Sequence, residues 1–388
     1  MTGSDLLPQG WTWERVLIRL EEHTDLEAGA REHGALRRVR IVKTAGQLLR
    51  LVLVYVLSGL SLRGTAAWAE ASGQASFSDV ALLKRLRNCG PWLSHLASEL
   101  ALLAHAEGSV EESSRRIVAV DATAICSPGD KKDYRLLHTV YDVTAQRFIT
   151  TQMTDRSIAE RLNAGTVKPG EIRLGDRLYA RFHDLHAVQT EGADFVVRLG
   201  SNALRLKTLD GAAFDRVALC RKAEAEGIQE QDVTVRAIKG AECFQARLVI
   251  LPLSPQAAEK ARALARKNAK KWGYKAGDAG IATAGCLMLI TSLPAKDWPA
   301  TKILELYRRR WQVELAFKRL KSIVGLESLK ADDPGLVSAW IHAVLVIALL
   351  IDLERPPQIS GEPDSLPLDN REDDPFRSGV LSHLSHAA

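Results

Sequence analysis

A single acid, Glu314, stands among the arginines and lysines of "LYRRRWQVELAFKRLK", residues 306–321. A lone carboxylate in a basic helix either pairs with a neighbour on the wet face or serves something inside. At about 100° per residue, Tyr307, Arg310, Glu314 and Lys321 share a stripe roughly 60° wide. Trp311 and Leu315 border it on one side and Val313, Phe317 and Leu320 on the other, while Arg308, Arg309, Gln312 and Arg319 fill the opposite arc. The stripe therefore faces inward. An exposed Arg310–Glu314 pair would stabilise a helix by only about 0.2–0.5 kcal/mol and belongs on the solvated side. Charges turned inward are costly unless an ion, a ligand or one another balances them.

Two upstream acids are candidates to meet Glu314. Asp121 closes the apolar alternation of "IVAVD", and Asp176 follows Gly175 in "EIRLGD", so both are expected where strand gives way to loop. Either one alone reads as an ordinary turn former or helix cap. Three carboxylates drawn together from two strands and a helix would repel unless divalent cations lay between them, and Mg²⁺ prefers oxygen ligands. Two such ions about 4 Å apart activate a water or a 3′-hydroxyl and stabilise the leaving oxygen of an in-line phosphodiester displacement.

The elements that must position these groups follow from periodicity. Residues 1–110 read as helices throughout, with "SLRGTAAWAEASGQASFSDVALLKRLRN" giving a helix, a Gly-containing turn, an N-cap at Ser78 and a second helix, in the outline of a helix-turn-helix. From Arg115 the pattern turns extended: "RRIVAVDATAI", "LLHTVYDV" and "RFITTQM" predict a three-strand meander. "EIRLG" and "ADFVVRLG" add strands around the helix "RLYARFHDLHAVQ". Residues 203–284 hold short β-like pieces and a basic helix, and read as an insertion. "GCLMLITSL" then resumes the strand pattern, and helices are expected over Ala300–Ser322 and Leu336–Leu353. The resulting division is 1–110 helical, 111–202 first part of an α/β core, 203–284 insertion, 285–353 second part of the core, and 354–388 an acidic tail expected to be disordered.

Composition narrows the classes further. Among 388 residues the five cysteines form no CxxC pair, so a disulfide framework or a zinc finger is not expected. Met1–Gln9 has no signal-peptide character, and the apolar runs Leu51–Leu62 and Ala343–Ile351 fall short of the roughly 20 residues that span a bilayer. The tail from Glu354 carries seven acids and three bases, so the net charge of +5 leaves +9 on residues 1–353, a balance that suits a polyanionic partner. There is no Walker-type loop, GxSxG elbow or HExxH pair. His383 and His386 form an isolated HxxH in the tail.

The spacing Tyr307-x2-Arg310-x3-Glu314-x6-Lys321 resembles the YREK signature of the DDE transposases of bacterial insertion sequences, in the branch called the insertion-sequence-four family. "REHGALRRVRIVK", "SLRGTAAWAEA", "LGDRLYA" and "LYRRRWQVELAFKRLKS" are also similar to that family, so the likeness spans roughly residues 10–350. It implies an α/β fold: an RNase H-like mixed sheet with helices on both faces, interrupted by a mostly β insertion and preceded by an all-helical DNA-binding region. It implies that Asp121, Asp176 and Glu314 ligate two Mg²⁺ or Mn²⁺ ions, and that Tyr307, Arg310 and Lys321 grip the terminal phosphates. Arg198 corresponds to a basic residue near the bound strand, or simply closes its own strand on the surface. The implied partners are double-stranded DNA, as terminal inverted repeats and target, and a second copy of the chain on that DNA, with no membrane and a cytoplasmic location. Two features depart from the family. Cys286 and Leu287 stand where some relatives carry a Trp that receives a flipped base, with Trp272 the nearest substitute, and the acidic ending replaces a helical extension. An inactive end-binding inhibitor and an RNase H-like nuclease without strand transfer remain as alternatives.

Overall fold

The computed structural model describes residues 12–37, 39–106, 115–127, 130–145, 147–155, 157–200, 203–271, 273, 277–324 and 333–353. The tail from 354 and Trp272 lie outside the described residues, and of Lys321 only the backbone is described.

Among the described residues six helices come first: α1 (Trp13–Glu21), α2 (Leu26–Glu32), α3 (Ala45–Leu57), α4 (Leu62–Ala71), α5 (Asp79–Leu86) and α6 (Gly90–Ala106). Short polar residues start the first five. Thr12, Asp25, Thr44, Ser61 and Ser78 each accept a hydrogen bond at the side-chain oxygen from the backbone N–H three residues on, satisfying donors that a helix start leaves open.

The sheet follows, with nine strands in the order β3-β2-β1-β4-β5-β9-β8-β7-β6. β1 (Ile117–Ser127), β2 (Asp130–Asp142) and β3 (Arg147–Asp155) form the antiparallel meander. β4 (Ile172–Gly175) and β5 (Asp194–Arg198) add to β1 in parallel, joined by a 3-10 turn (Arg177–Tyr179) and α7 (Phe182–Thr190). β9 (Cys286–Thr291) closes antiparallel on β5.

Residues 203–284 do not fold away from this sheet. They extend it through β6 (Arg205–Lys207), β7 (Gln229–Arg236) and β8 (Cys243–Pro252), with β8 bonded to β9. They also supply helices α8 (Arg216–Glu226), α9 (Pro255–Lys271) and α10 (Asp278–Ala284), two more than the basic helix foreseen among the β-like pieces.

The last elements among the described residues are α11 (Ala300–Arg309), α12 (Trp311–Val324) and α13 (Pro334–Leu353). The single helix expected over 300–322 is thus tightened in its middle: Arg310 N–H donates to the Tyr307 carbonyl and Val313 N–H to that of Arg310, both i to i−3. A 3-10 step of this kind turns each residue about 120° instead of 100°. α13 is longer than the apolar run that announced it: Pro334–Ile351 has the length and composition to cross a membrane, yet 78% of it is buried inside the protein. It packs on α6 and α3 as a core helix, so closely to α6 that a Cβ on Gly90 would lie 2.6 Å from Ser338 Oγ.

Two apolar cores cover the two faces of the sheet. One joins α1–α6 and α11–α13 to Ile117, Ala119, Ile172, Leu174, Val196 and Leu289. The other joins α7 and α8 to Val120, Phe195, Val197, Leu248 and Ile290. At about 1.5–3 kcal/mol per buried large apolar side chain, these layers hold the sheet in place.

Candidate active site

Strand register brings Asp121 and Asp176 level. Ala119 pairs with Leu174 across β1 and β4, and two further residues along each parallel strand lie Asp121 and Asp176. Neighbouring strands run about 4.8 Å apart. Side chains alternate along a strand; since Ala119 and Leu174 belong to the core under α11–α13, both aspartates point to that same face. They are buried, 1% and 3% exposed.

Asp176 does stand where its strand stops, and its Oδ1 accepts from Leu178 N–H at 2.8 Å to cap the 3-10 turn. Asp121 does not: it is the fifth residue of an eleven-residue strand, and its Oδ1 accepts from Ala122 N–H at 2.9 Å. β1 outruns β4 because β2 keeps pairing with it, Asp121 opposite Thr139 and Ser127 opposite Asp130. Only the partner on the β4 side ends there.

The same level continues outward. Val197 pairs with Gly175, so Arg198 follows beside Asp176, at the end of β5 and half-buried. On the other side Thr139, opposite Asp121, is buried and donates its hydroxyl to the Asp121 carbonyl at 3.2 Å, and Thr151 lies opposite Thr139. A polar row, Thr151-Thr139-Asp121-Asp176-Arg198, thus crosses five strands between apolar rows. Thr139 was missed in the sequence because nothing local to it gives its register.

Above this face lie the helices of the basic motif. α11 packs against β5 and α12 against β1, with Phe317 meeting Phe148 at 5.9 Å between ring centroids. Tyr307 and Arg310 are buried, whereas Arg308 and Arg309 are exposed. The Arg310 guanidinium lies 5.6 Å from the Tyr307 ring centroid, and its Nη2 donates to Glu314 Oε1 at 2.7 Å. The two side chains of that pair are 8% and 15% exposed.

Oxygen donors of this kind fit a hard divalent cation. Two level, buried carboxylates also repel each other unless something positive balances them. Glu314 is turned to Arg310, and among the described residues no three His, Cys, Asp or Glu side chains are grouped closely enough to hold a metal ion. Asp121, Asp176 and Glu314 therefore do not stand as a closed three-carboxylate group in this structure.

A meander running into two parallel strands, in the order β3-β2-β1-β4-β5 with helices on both faces, is an RNase H-like core. The family model described as "Transposase DDE domain" matches residues 112–351, which take in that core and the insertion within it. The chain belongs to this family. It is 37% identical over 362 residues to the putative transposases InsL of the insertion sequence elements IS186A and IS186B of Escherichia coli K12, covering 90% of this chain and 97% of theirs. It is equally similar, 37% over 363 residues with the same coverage, to the transposase of insertion sequence element IS421 of Escherichia coli.

Proposed function

We propose that this protein is the transposase of a bacterial insertion sequence of the branch that its Tyr-Arg-Glu-Lys spacing resembles, cutting the ends of its own element and joining the freed 3′-hydroxyls to target DNA. The observation that carries the reading is the level, buried pair Asp121 and Asp176 on the sheet face packed by the helix of Glu314. Asp121, Asp176 and Glu314 would hold two Mg²⁺ or Mn²⁺ ions, which when bound supply charge neutralisation at the phosphate and an acidified water or hydroxyl. The chain's own part is to bind, orient and exclude. The sheet holds Asp121 within β1 and the 3-10 turn that Asp176 caps holds Asp176 at the end of β4, so that both carboxylates are placed before charge develops. Tyr307, Arg310 and Lys321 would grip terminal phosphates, the forked guanidinium at two oxygens and the ammonium as a point charge. Arg310 already stands beside Glu314, so phosphate binding at Arg310 would free that carboxylate. Arg198, level with Asp176, would meet the strand that enters.

The helical region and the insertion would supply most backbone contacts to double-stranded DNA, with two copies of the chain assembled on it in the cytoplasm. The test is cleavage of a supercoiled plasmid carrying the element's inverted repeats. Asp121→Ala, Asp176→Asn and Glu314→Gln are each expected to lower strand cutting by about a thousandfold or more, with end binding retained. Cutting at the wild-type rate in Asp121→Ala or Glu314→Gln would refute the assignment. Cutting without strand-transfer products would make the protein a nuclease, and binding without any cutting in Mn²⁺ would make it an end-binding inhibitor.

A further inference from the structure

Beneath the Asp176 turn, on the far face of the sheet, lies a charged side chain with no access to solvent. Arg173 of β4 is 0% exposed. Its Nε donates to Glu171 Oε1 at 2.6 Å, its Nη1 to the carbonyls of Leu162 and Ala164 at 2.8 Å each, and its Nη2 to that of Thr166 at 2.9 Å. One guanidinium thus gathers three carbonyls of the segment between β3 and β4. Burying a cation costs several kcal/mol unless every donor is met, a large outlay for an ordinary connection.

What the gathered segment touches gives the reason. Leu162 packs under Gly175, so tightly that a Cβ there would sit 2.9 Å from Leu162 Cδ1 and 2.9 Å from Tyr179 Cβ. Tyr179, last residue of the turn that Asp176 caps, donates its hydroxyl to Glu160 Oε2 at 2.8 Å. The side chain under Gly175 and the acceptor of the Tyr179 hydroxyl therefore belong to one short segment, three of whose carbonyls Arg173 holds.

We infer that Arg173 is a positioning residue: by anchoring residues 160–166 beneath Gly175 and against Tyr179, it sets the direction in which the Asp176 carboxylate is presented to a divalent cation. The inference rests on the reading of Asp176 as a metal ligand. Lysine at 173 keeps the charge but has a single nitrogen where the guanidinium uses three, so the segment would loosen while the strand remained.

The experiment measures Mn²⁺ binding to the full-length protein directly, from the electron paramagnetic resonance signal of the free ion, alongside end binding and single-turnover cleavage. Arg173→Lys should bind DNA ends within twofold of wild type and yet bind Mn²⁺ about tenfold more weakly, the range in which outer-shell partners act, with kcat lowered and KM for DNA unchanged. Tyr179→Phe, which deletes only the hydroxyl to Glu160, should shift Mn²⁺ binding in the same direction by a smaller factor and serves if Arg173→Lys does not fold. Mn²⁺ affinity within twofold of wild type in the folded variant would overturn the inference. Asp176→Asn separates the two levels: if it binds Mn²⁺ and cuts as wild type does, the reading of the site fails and this inference with it. If it is inert while Arg173→Lys is normal, only the positioning role fails.

Discussion

Arg310 and Glu314 form a pair whose partners answer to different neighbours: the guanidinium also covers the Tyr307 ring, while the carboxylate rides on the helix that packs on β1. Removing one member leaves the other poorly solvated, so Arg310→Ala should cost about 1–3 kcal/mol. A double-mutant cycle with Glu314→Ala by urea denaturation should return a coupling of about 0.5–3 kcal/mol. Strict additivity would mean that the pair contributes nothing to stability. His342 offers a second residue-scale test. It is buried in α13, and burial holds its pKa below the usual 6.5, opposed by the hydrogen bond between its Nδ1 and the Ser338 carbonyl. The unfolded chain then takes up the proton first. Stability from the neutral ring is whole above pH 6.5 and is lost as pH falls from there toward the folded-state value. His342→Asn should flatten the decline in melting temperature between pH 7 and 5.5, and an unchanged decline would assign it to other groups.

Among the elements, α4 and α5 form the helix-turn-helix outline that the sequence suggested, started by Ser61 and Ser78. Ser78→Ala should lower stability by about 1 kcal/mol, read as a shift of the urea midpoint. The strands were legible where a short run was rich in apolar, branched residues, as in "IVAV", "FVVRL" and "LMLI". The part of β2 ahead of Leu136 was not, because "DKKD" at its start has no apolar face to signal a strand. The inward placement of Tyr307 and Arg310 was legible from helical geometry alone, with Arg308 and Arg309 exposed. The 3-10 step at Arg310 was not, since it lies in two hydrogen bonds and not in residue type. The level of Asp121 with Asp176 escaped for the same reason: register is decided between strands distant in sequence. Nothing in "EIRLG" sets Arg173 apart, and only the fold shows the three carbonyls around it.

For the molecule as a whole, the boundary drawn near residue 110 does not interrupt the apolar core. Val16, Leu48 and Trp92 of the first helices belong to the same cluster as Leu174, Phe317 and Leu345, and α13 runs back to pack on α3 and α6. Deleting residues 1–110 should therefore leave no folded catalytic part: the truncated chain is expected to lack the cooperative thermal transition of the intact protein, and a sharp transition in it would show two independent units. DNA affinity should fall steeply with salt if many lysines and arginines meet phosphates, measured as the slope of log Kd against log salt concentration.

Because residues 203–284 prolong the central sheet, their position is governed by twist. Adjacent strands of a sheet rotate by roughly 20–25°, and eight steps separate β3 from β6, so twist accumulates across the whole row and turns its two outermost strands out of line with each other. A stiff polymer touching both margins of a sheet twisted in this way would have to follow the twist, because a straight rod aligned with one margin would diverge from the other.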